Sequence, residues 1–197
     1  VQVCSGSLNI SGAGTAITVS GDGIDKTIND GAIEDGAAIS IVNRAGYKGL
    51  SNIEVKGGTF TAKDGNAAVK AYNWENLTES GFTQNDKVSV SGGTFSSDPT
   101  KYVVEDSAIN KNDDGTFGVA KAYLAKVGDT SYYTMDEAFK AQTASSEAIV
   151  LLRDYTTGST FNSGSINRTV DLNGHTWTCT GTCLLYTSPS PRDGATS

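Results

Sequence analysis

His175 is the only histidine in the chain, and it sits in the turn sequence Asn173-Gly174-His175-Thr176. Acyl transfer would need a nucleophile beside that imidazole and an acid to orient it. No nucleophile elbow accompanies it, so His175 is expected to be a turn residue bonded to backbone. Polysaccharide cleavage would need carboxylates converging on one face, with Arg, Lys or calcium to absorb developing charge. The positions that alternate outward along the predicted strands are Asn9, Ser11, Thr18, Ser40, Glu54, Lys56, Lys70, Ser89 and Ser91. Glu54 is the one carboxylate among them, too thin a wall for an active site, and no catalytic residue is assigned.

Metal chemistry has weak candidates. Asp113 and Asp114 precede Gly115, and Gly21-Asp22-Gly23-Ile24-Asp25 is a second acidic glycine turn. Neither follows the twelve-residue calcium loop or the nonapeptide calcium repeat. Cys4, Cys179 and Cys183 form no CxxC pair and have no paired histidines, so neither a zinc site nor a disulfide framework is expected. No metal and no cofactor is assigned.

Aromatic residues offer more. Tyr47, Tyr72, Trp74 and Phe82 gather around the longest insertions between predicted strands, 43–50 and 72–86. Rings exposed there could stack on sugar faces; rings folded inward would cover the strand edges beneath their own loops. Tyr47, Tyr72 and Trp74 are taken as the candidate ligand-binding residues. Three Asn-X-Ser/Thr triplets, at Asn9, Asn76 and Asn167, match the glycosylation pattern but carry little weight alone.

Charge narrows the partners. With 22 Asp plus Glu against 15 Lys plus Arg, the net charge is −7. Nucleic acid and anionic membranes call for clustered basic residues, and neither is expected as a partner. No run of apolar residues is long enough for a membrane-spanning helix, so none is expected in this piece. The chain begins at Val1 with no basic-then-apolar leader and reads as a fragment of a longer protein.

The elements that must position these residues are strands. One pattern is written twice: Ile53 and Val55, then Gly57-Gly58-Thr59-Phe60; and Val88 and Val90, then Gly92-Gly93-Thr94-Phe95. Apolar residues spaced by two mark a strand with one buried face. Further pairs at Leu8/Ile10, Ile17/Val19, Ile39/Ile41 and Val69/Ala71 continue the alternation, separated by turn residues. Glycine-turn segments ending at Ile33, Phe60 and Phe95 lie 27 and 35 positions apart, within the range of solenoid repeats. The connections are too long and varied for a run of two-residue hairpins. The expected fold is therefore mainly β, a right-handed parallel β-helix (solenoid), its inward aliphatics each worth ~1.5–3 kcal/mol when fully buried.

Beyond residue 96 the character changes. Asn112-Asp113-Asp114-Gly115 and Gly128-Asp129 read as hairpin turns. Thr134-Met135-Asp136-Glu137 is a capping box, and Met135, Ala138 and Phe139 make one apolar face of a short helix near 134–142. Residues 148–152 return to strand.

These segments carry a resemblance. Residues 128–176, with Gly-Asp-Thr-x-Tyr, Thr-x-x-Glu-Ala-Phe, Ile-Val-Leu-Leu-Arg-Asp and Val-Asp-Leu-Asn-Gly-His-Thr, resemble the entry into right-handed β-helix domains. Residues 91–117 resemble the close of such a domain. Both occur in large repetitive surface proteins of anaerobic, often gut-dwelling, bacteria. The resemblance implies that the helix caps the open end of a coil stack. Together with the strand periodicity of the first half, it divides the chain into 1–119, the end of one β-solenoid module with a closing hairpin, and 120–182, the start of a second. Residues 183–193 resemble a translated sequencing-library adapter, so 183–197 is read as a non-native tail.

The resulting expectation is a fragment of a secreted or cell-surface bacterial repeat protein. It would act as a stalk or adhesive surface beside neighbouring repeat modules, with extracellular or cell-wall glycans or host surface molecules as partners. The alternative is a polysaccharide-active β-helix enzyme, a lyase or glycosidase, whose catalytic residues lie largely outside this fragment.

Overall fold

The computed structural model describes residues 1–27, 33–75, 79, 81–143, 147–158, 161–162, 168–180 and 185–186. Apart from the backbone of β19 below, the tail read as adapter-derived lies outside them, as do the triplet Asn76–Thr78 and Asn167. The chain forms two compact units, Val1–Lys121 and Ala122–Ser197.

The first unit contains β1 (Gln2–Val3), β2 (Gly6–Ile10), β3 (Ala16–Thr18), β4 (Ile24–Thr27), β5 (Ile33–Glu34), β6 (Ile39–Asn43), β7 (Leu50–Thr61), β8 (Val69–Asn73), β9 (Val88–Phe95), β10 (Ser107–Lys111) and β11 (Phe117–Lys121). The two copies of the repeated pattern are β7 and β9. They lie side by side and parallel, with Ile53 opposite Val88, Val55 opposite Val90 and Phe60 opposite Phe95. Between the valine and phenylalanine pairs the register slips once on each strand and is restored. The glycines make this possible. Gly58 and Gly93 have φ of 115° and 120°, and a Cβ on Gly92 would stand 2.4 Å from the Lys56 carbonyl oxygen. Only glycine tolerates both the backbone angle and that approach. Past the slip the phenylalanine rings stack, centroids 5.0 Å apart.

Ile53, Val55, Phe60, Val90 and Phe95 are buried with Ile39, Ile41 and Ala71 of the neighbouring strands and with Ala68, just before β8. A three-stranded parallel sheet runs β1-β6-β8, and β2 and β3 pair in parallel along β7. On its far side β9 is covered by β11, which runs antiparallel, and β11 pairs in turn with β10 through the Asn112–Gly115 turn.

The second unit contains β12 (Ala125–Val127), β13 (Thr130–Tyr132), α1 (Met135–Ala141), β14 (Ile149–Leu151), β15 (Tyr155–Thr157), β16 (Phe161–Asn162), β17 (Val170–Asp171), β18 (Trp177–Cys179) and β19 (Leu185–Tyr186). Its sheet has the order β13-β12-β14-β17, antiparallel except for the last pair. Two short parallel pairs, β15–β18 and β16–β19, stand apart from it. The helix begins at the capping box: the Thr134 hydroxyl accepts from the Glu137 amide and the Glu137 carboxylate accepts from Thr134 N at 3.2 Å. Met135, Ala138 and Phe139 are buried with Leu124, Ala125, Ile149 and Leu151. Arg168 donates to the carbonyls of Phe139 and Gln142, satisfying acceptors that the last helical turn leaves open.

This architecture corrects the expected right-handed parallel β-helix. The fold is mainly β, but its sheets are separate and mix parallel with antiparallel pairing, and none closes into a solenoid of repeat modules. Three local choices account for it. The earlier glycine-turn copy expected at 28–33 lies, but for Ile33, outside the described residues, and β4 and β5 on either side of it pair antiparallel with each other instead of extending β7. β11 reverses direction on β9. In the second unit β12 is antiparallel to both of its neighbours. The helix near 134–142 accordingly packs on β12 and β13 and caps no coil stack.

Candidate functional site

The loops that follow β6 and β8 are neighbours because those strands are parallel and in register, with Val42 opposite Tyr72 and Asn43 opposite Asn73. At the point where both chains leave the sheet, side-chain amides tie them together. Asn43 Nδ2 donates to Asn73 Oδ1 at 2.9 Å, and Asn73 Nδ2 donates to the Gly81 carbonyl at 2.6 Å. Gln84 bridges further, donating to Asn43 Oδ1 at 2.7 Å and accepting from Leu50 N at 3.2 Å. The two loop ends are thus held by hydrogen bonds from side-chain amides.

On this base stand Arg44, Tyr47, Trp74 and Glu75. The Arg44 guanidinium carbon lies 4.1 Å from the Trp74 ring centroid and 5.2 Å from that of Tyr47, a cation over two aromatic rings. Tyr47 is 51% exposed, one of four large apolar side chains at the surface among the described residues. Glu75 Oε1 accepts from Ala45 N at 3.0 Å, joining the two loops a second time. That amide, the residue's own amide and the Arg44 charge hold the Glu75 carboxyl below the usual carboxylate range.

Two of the three aromatic candidates therefore meet at the loop surface, and Tyr72 does not. It is 4% exposed, and its hydroxyl donates to Asp35 Oδ2 at 2.8 Å. Phe82 is likewise in the core. The cause is Asp35, which strand alternation does not reveal. Its other oxygen accepts from Ala37 N at 2.9 Å and Ser40 Oγ at 2.8 Å, which folds the segment over β6 and buries Ser40, expected to face outward. Three donors satisfy the buried carboxylate. Arg44 also went unmarked; the available signal is a cation three positions before a tyrosine in a glycine-containing loop.

Elsewhere, Glu54 on β7 accepts from Lys56 at 2.8 Å and from Asn9 at 2.9 Å. Its carboxyl is held low by hydrogen bonds from Lys56 first and Asn52 second. His175 Nδ1 lies 3.5 Å from Asp154 Oδ1, which accepts Thr176 N at 2.8 Å, and the His175 amide donates to the Leu172 carbonyl at 2.7 Å. The Asp114 carboxylate accepts from both the Thr116 amide and its hydroxyl, closing the turn on itself. Among the described residues no group of three or more His, Cys, Asp or Glu could hold a metal ion, and no helix is long and apolar enough to cross a membrane. Comparison with protein-family models, with curated proteins and with solved structures gives no match to this chain.

Proposed function

We propose that the chain is a structural and adhesive part of a secreted or surface-displayed bacterial protein, in which the β framework holds out the loops of Arg44, Tyr47 and Trp74 as a binding surface for extracellular or cell-wall glycans or host surface molecules. The observation that carries this reading is an exposed Tyr47 ring on a loop fixed at both ends by side-chain hydrogen bonds. A preordered aromatic face binds a flat apolar surface, such as the CH face of a sugar, with little entropy left to lose. The setting outside the cell rests on the resemblance of residues 91–117 and 128–176 to segments of bacterial surface proteins.

The test is retention of the purified chain on immobilised cell-wall polysaccharides and mucin-type glycans. Tyr47→Ala should weaken retention about tenfold, the equivalent of ~1.4 kcal/mol. Undiminished retention of that variant removes the site, and failure of the parent chain to bind any member of the panel removes the adhesive role. Antibodies to the chain should label intact producing cells; labelling only after lysis would contradict the surface location.

A further inference from the structure

The Arg44 side chain is half-buried and held over two rings, yet its donors are unspent. Aromatic rings engage a guanidinium through its planar faces. Its five N–H groups lie in the plane and point outward from the edge. Among the described residues no acceptor takes a hydrogen bond from Arg44, and no carboxylate pairs with it within ion-pair distance. Glu75, the acid next to Trp74 in sequence, feels the Arg44 charge but makes no ion pair with it, one of its oxygens being committed to the Ala45 amide. Lys48, in the same loop, adds positive charge on a protein whose net charge is −7. A ring-supported guanidinium whose donors have no acceptor among the described residues suits a planar oxyanion received through two parallel hydrogen bonds.

We propose that Arg44 recognises a carboxylate carried on a sugar ring, with the exposed Tyr47 ring stacking on the apolar face of that sugar. This rests on the glycan-binding reading above and narrows its ligand to acidic sugars. The guanidinium edge and the Tyr47 face serve different parts of one ligand: the carboxylate sets which sugar binds, and the ring supplies contact area that any pyranose can share. A sugar is favoured over an acidic peptide because a lone Glu or Asp side chain offers no flat face to Tyr47.

The experiment is calorimetric titration of the full chain with oligogalacturonate, with the same oligomer methyl-esterified, and with polyglutamate. Esterification removes the charge and keeps the ring. The acid form should bind at least about tenfold more tightly than the ester, the scale of a charge-assisted bidentate pair. Arg44→Met should erase that preference, so that acid and ester bind alike, Arg44→Lys should restore only part of it, and Tyr47→Ala should weaken both. Melting temperatures of the variants, with Arg44→Gln as a second substitution, separate loss of recognition from loss of fold. Equal binding of acid and ester, or a preference that survives Arg44→Met, overturns the proposal and leaves the glycan reading standing. Polyglutamate bound as tightly as the acid oligomer overturns it in favour of an anionic peptide. No binding of either oligomer by a chain that binds neutral glycans sinks the acid preference alone, and no binding of any glycan sinks both.

Discussion

The two units place their antiparallel hairpins at opposite ends, and the α-helix belongs to the second alone. In Val1–Lys121 the parallel strands come first and an antiparallel hairpin, β10–β11, comes last. In Ala122–Ser197 the hairpin β12–β13 comes first, the helix follows, and parallel pairs come after. The cores differ accordingly. Unit one buries side chains from strands far apart in sequence, Val55 against Val90 and Phe60 against Phe95. Most of the second core comes from one continuous stretch between Leu124 and Tyr155. Non-local pairing must meet its loop-closure cost before it gains contacts, whereas a hairpin and a capped helix gain theirs early. The difference teaches that a repeat in sequence does not by itself propagate in space. The two copies pair once, and what lies beside them decides whether the ladder goes on.

The strongest way to break this comparison is Val90→Asp. Val90 is fully buried, so an unpaired carboxylate there should cost about 4 kcal/mol or more. Urea unfolding should show the loss, while amide exchange at Ile149 and Leu151 stays slow. If those amides lose protection too, the cores melt as one and the contrast between them fails. If the melting temperature does not move, the inward placement of Val90 is wrong.

The reciprocal change is Leu151→Ala, which empties a fully buried site in the second core and should cost about 2–5 kcal/mol. Amides of β7 and β9 should keep their exchange rates, and a matching loss there would again merge the two cores. Smaller still, Thr134→Ala removes the hydroxyl that accepts from the Glu137 amide and should cost about 1 kcal/mol, read as a lower melting temperature with the rest of the spectrum unchanged. A silent Thr134→Ala would mean that packing of Met135 and Phe139 alone holds the helix.

The smallest effect belongs to pH. The Glu75 carboxyl is held low in the folded state, so the tie it makes to Ala45 is fully present above the ordinary carboxylate pKa and is lost as pH falls through the folded value. The Ala45 amide proton should hold a constant chemical shift from pH 8 down to about 5 and move only below the ordinary Glu range of about 4.3. Movement near neutrality would show that another group titrates beside it.

Features written in adjacent residues were legible in the sequence. Thr134 and Glu137 specify the capping box within one turn, and the turn at Asn112–Gly115 closes through its own Asp114 and Thr116. Strand positions were legible wherever alternation was regular, as at Ile53 and Val55. Pairing direction was not. Alternation gives each strand a buried face, but it does not say which neighbour arrives or from which end, so the reversal of β11 on β9 carried no mark. For the candidate site, Tyr47 and Trp74 stood out as aromatics in long loops. Asp35 and Arg44 did not, because their roles come from strands that only meet in the folded chain.

The hairpin laid across β9 has a consequence of another kind. A row of parallel strands with an open end is a template, and templates polymerise when molecules meet at sufficient concentration. On that side β11 takes up Gly93–Phe95 of β9 in the reversed direction, and Val103 bridges to Val90, so a parallel copy does not find a continuous free edge on β9. The outermost strand there is the short β10, which is bound to its own chain through β11. Any change that loosened residues 107–121 would turn a fixed length into one set by supply.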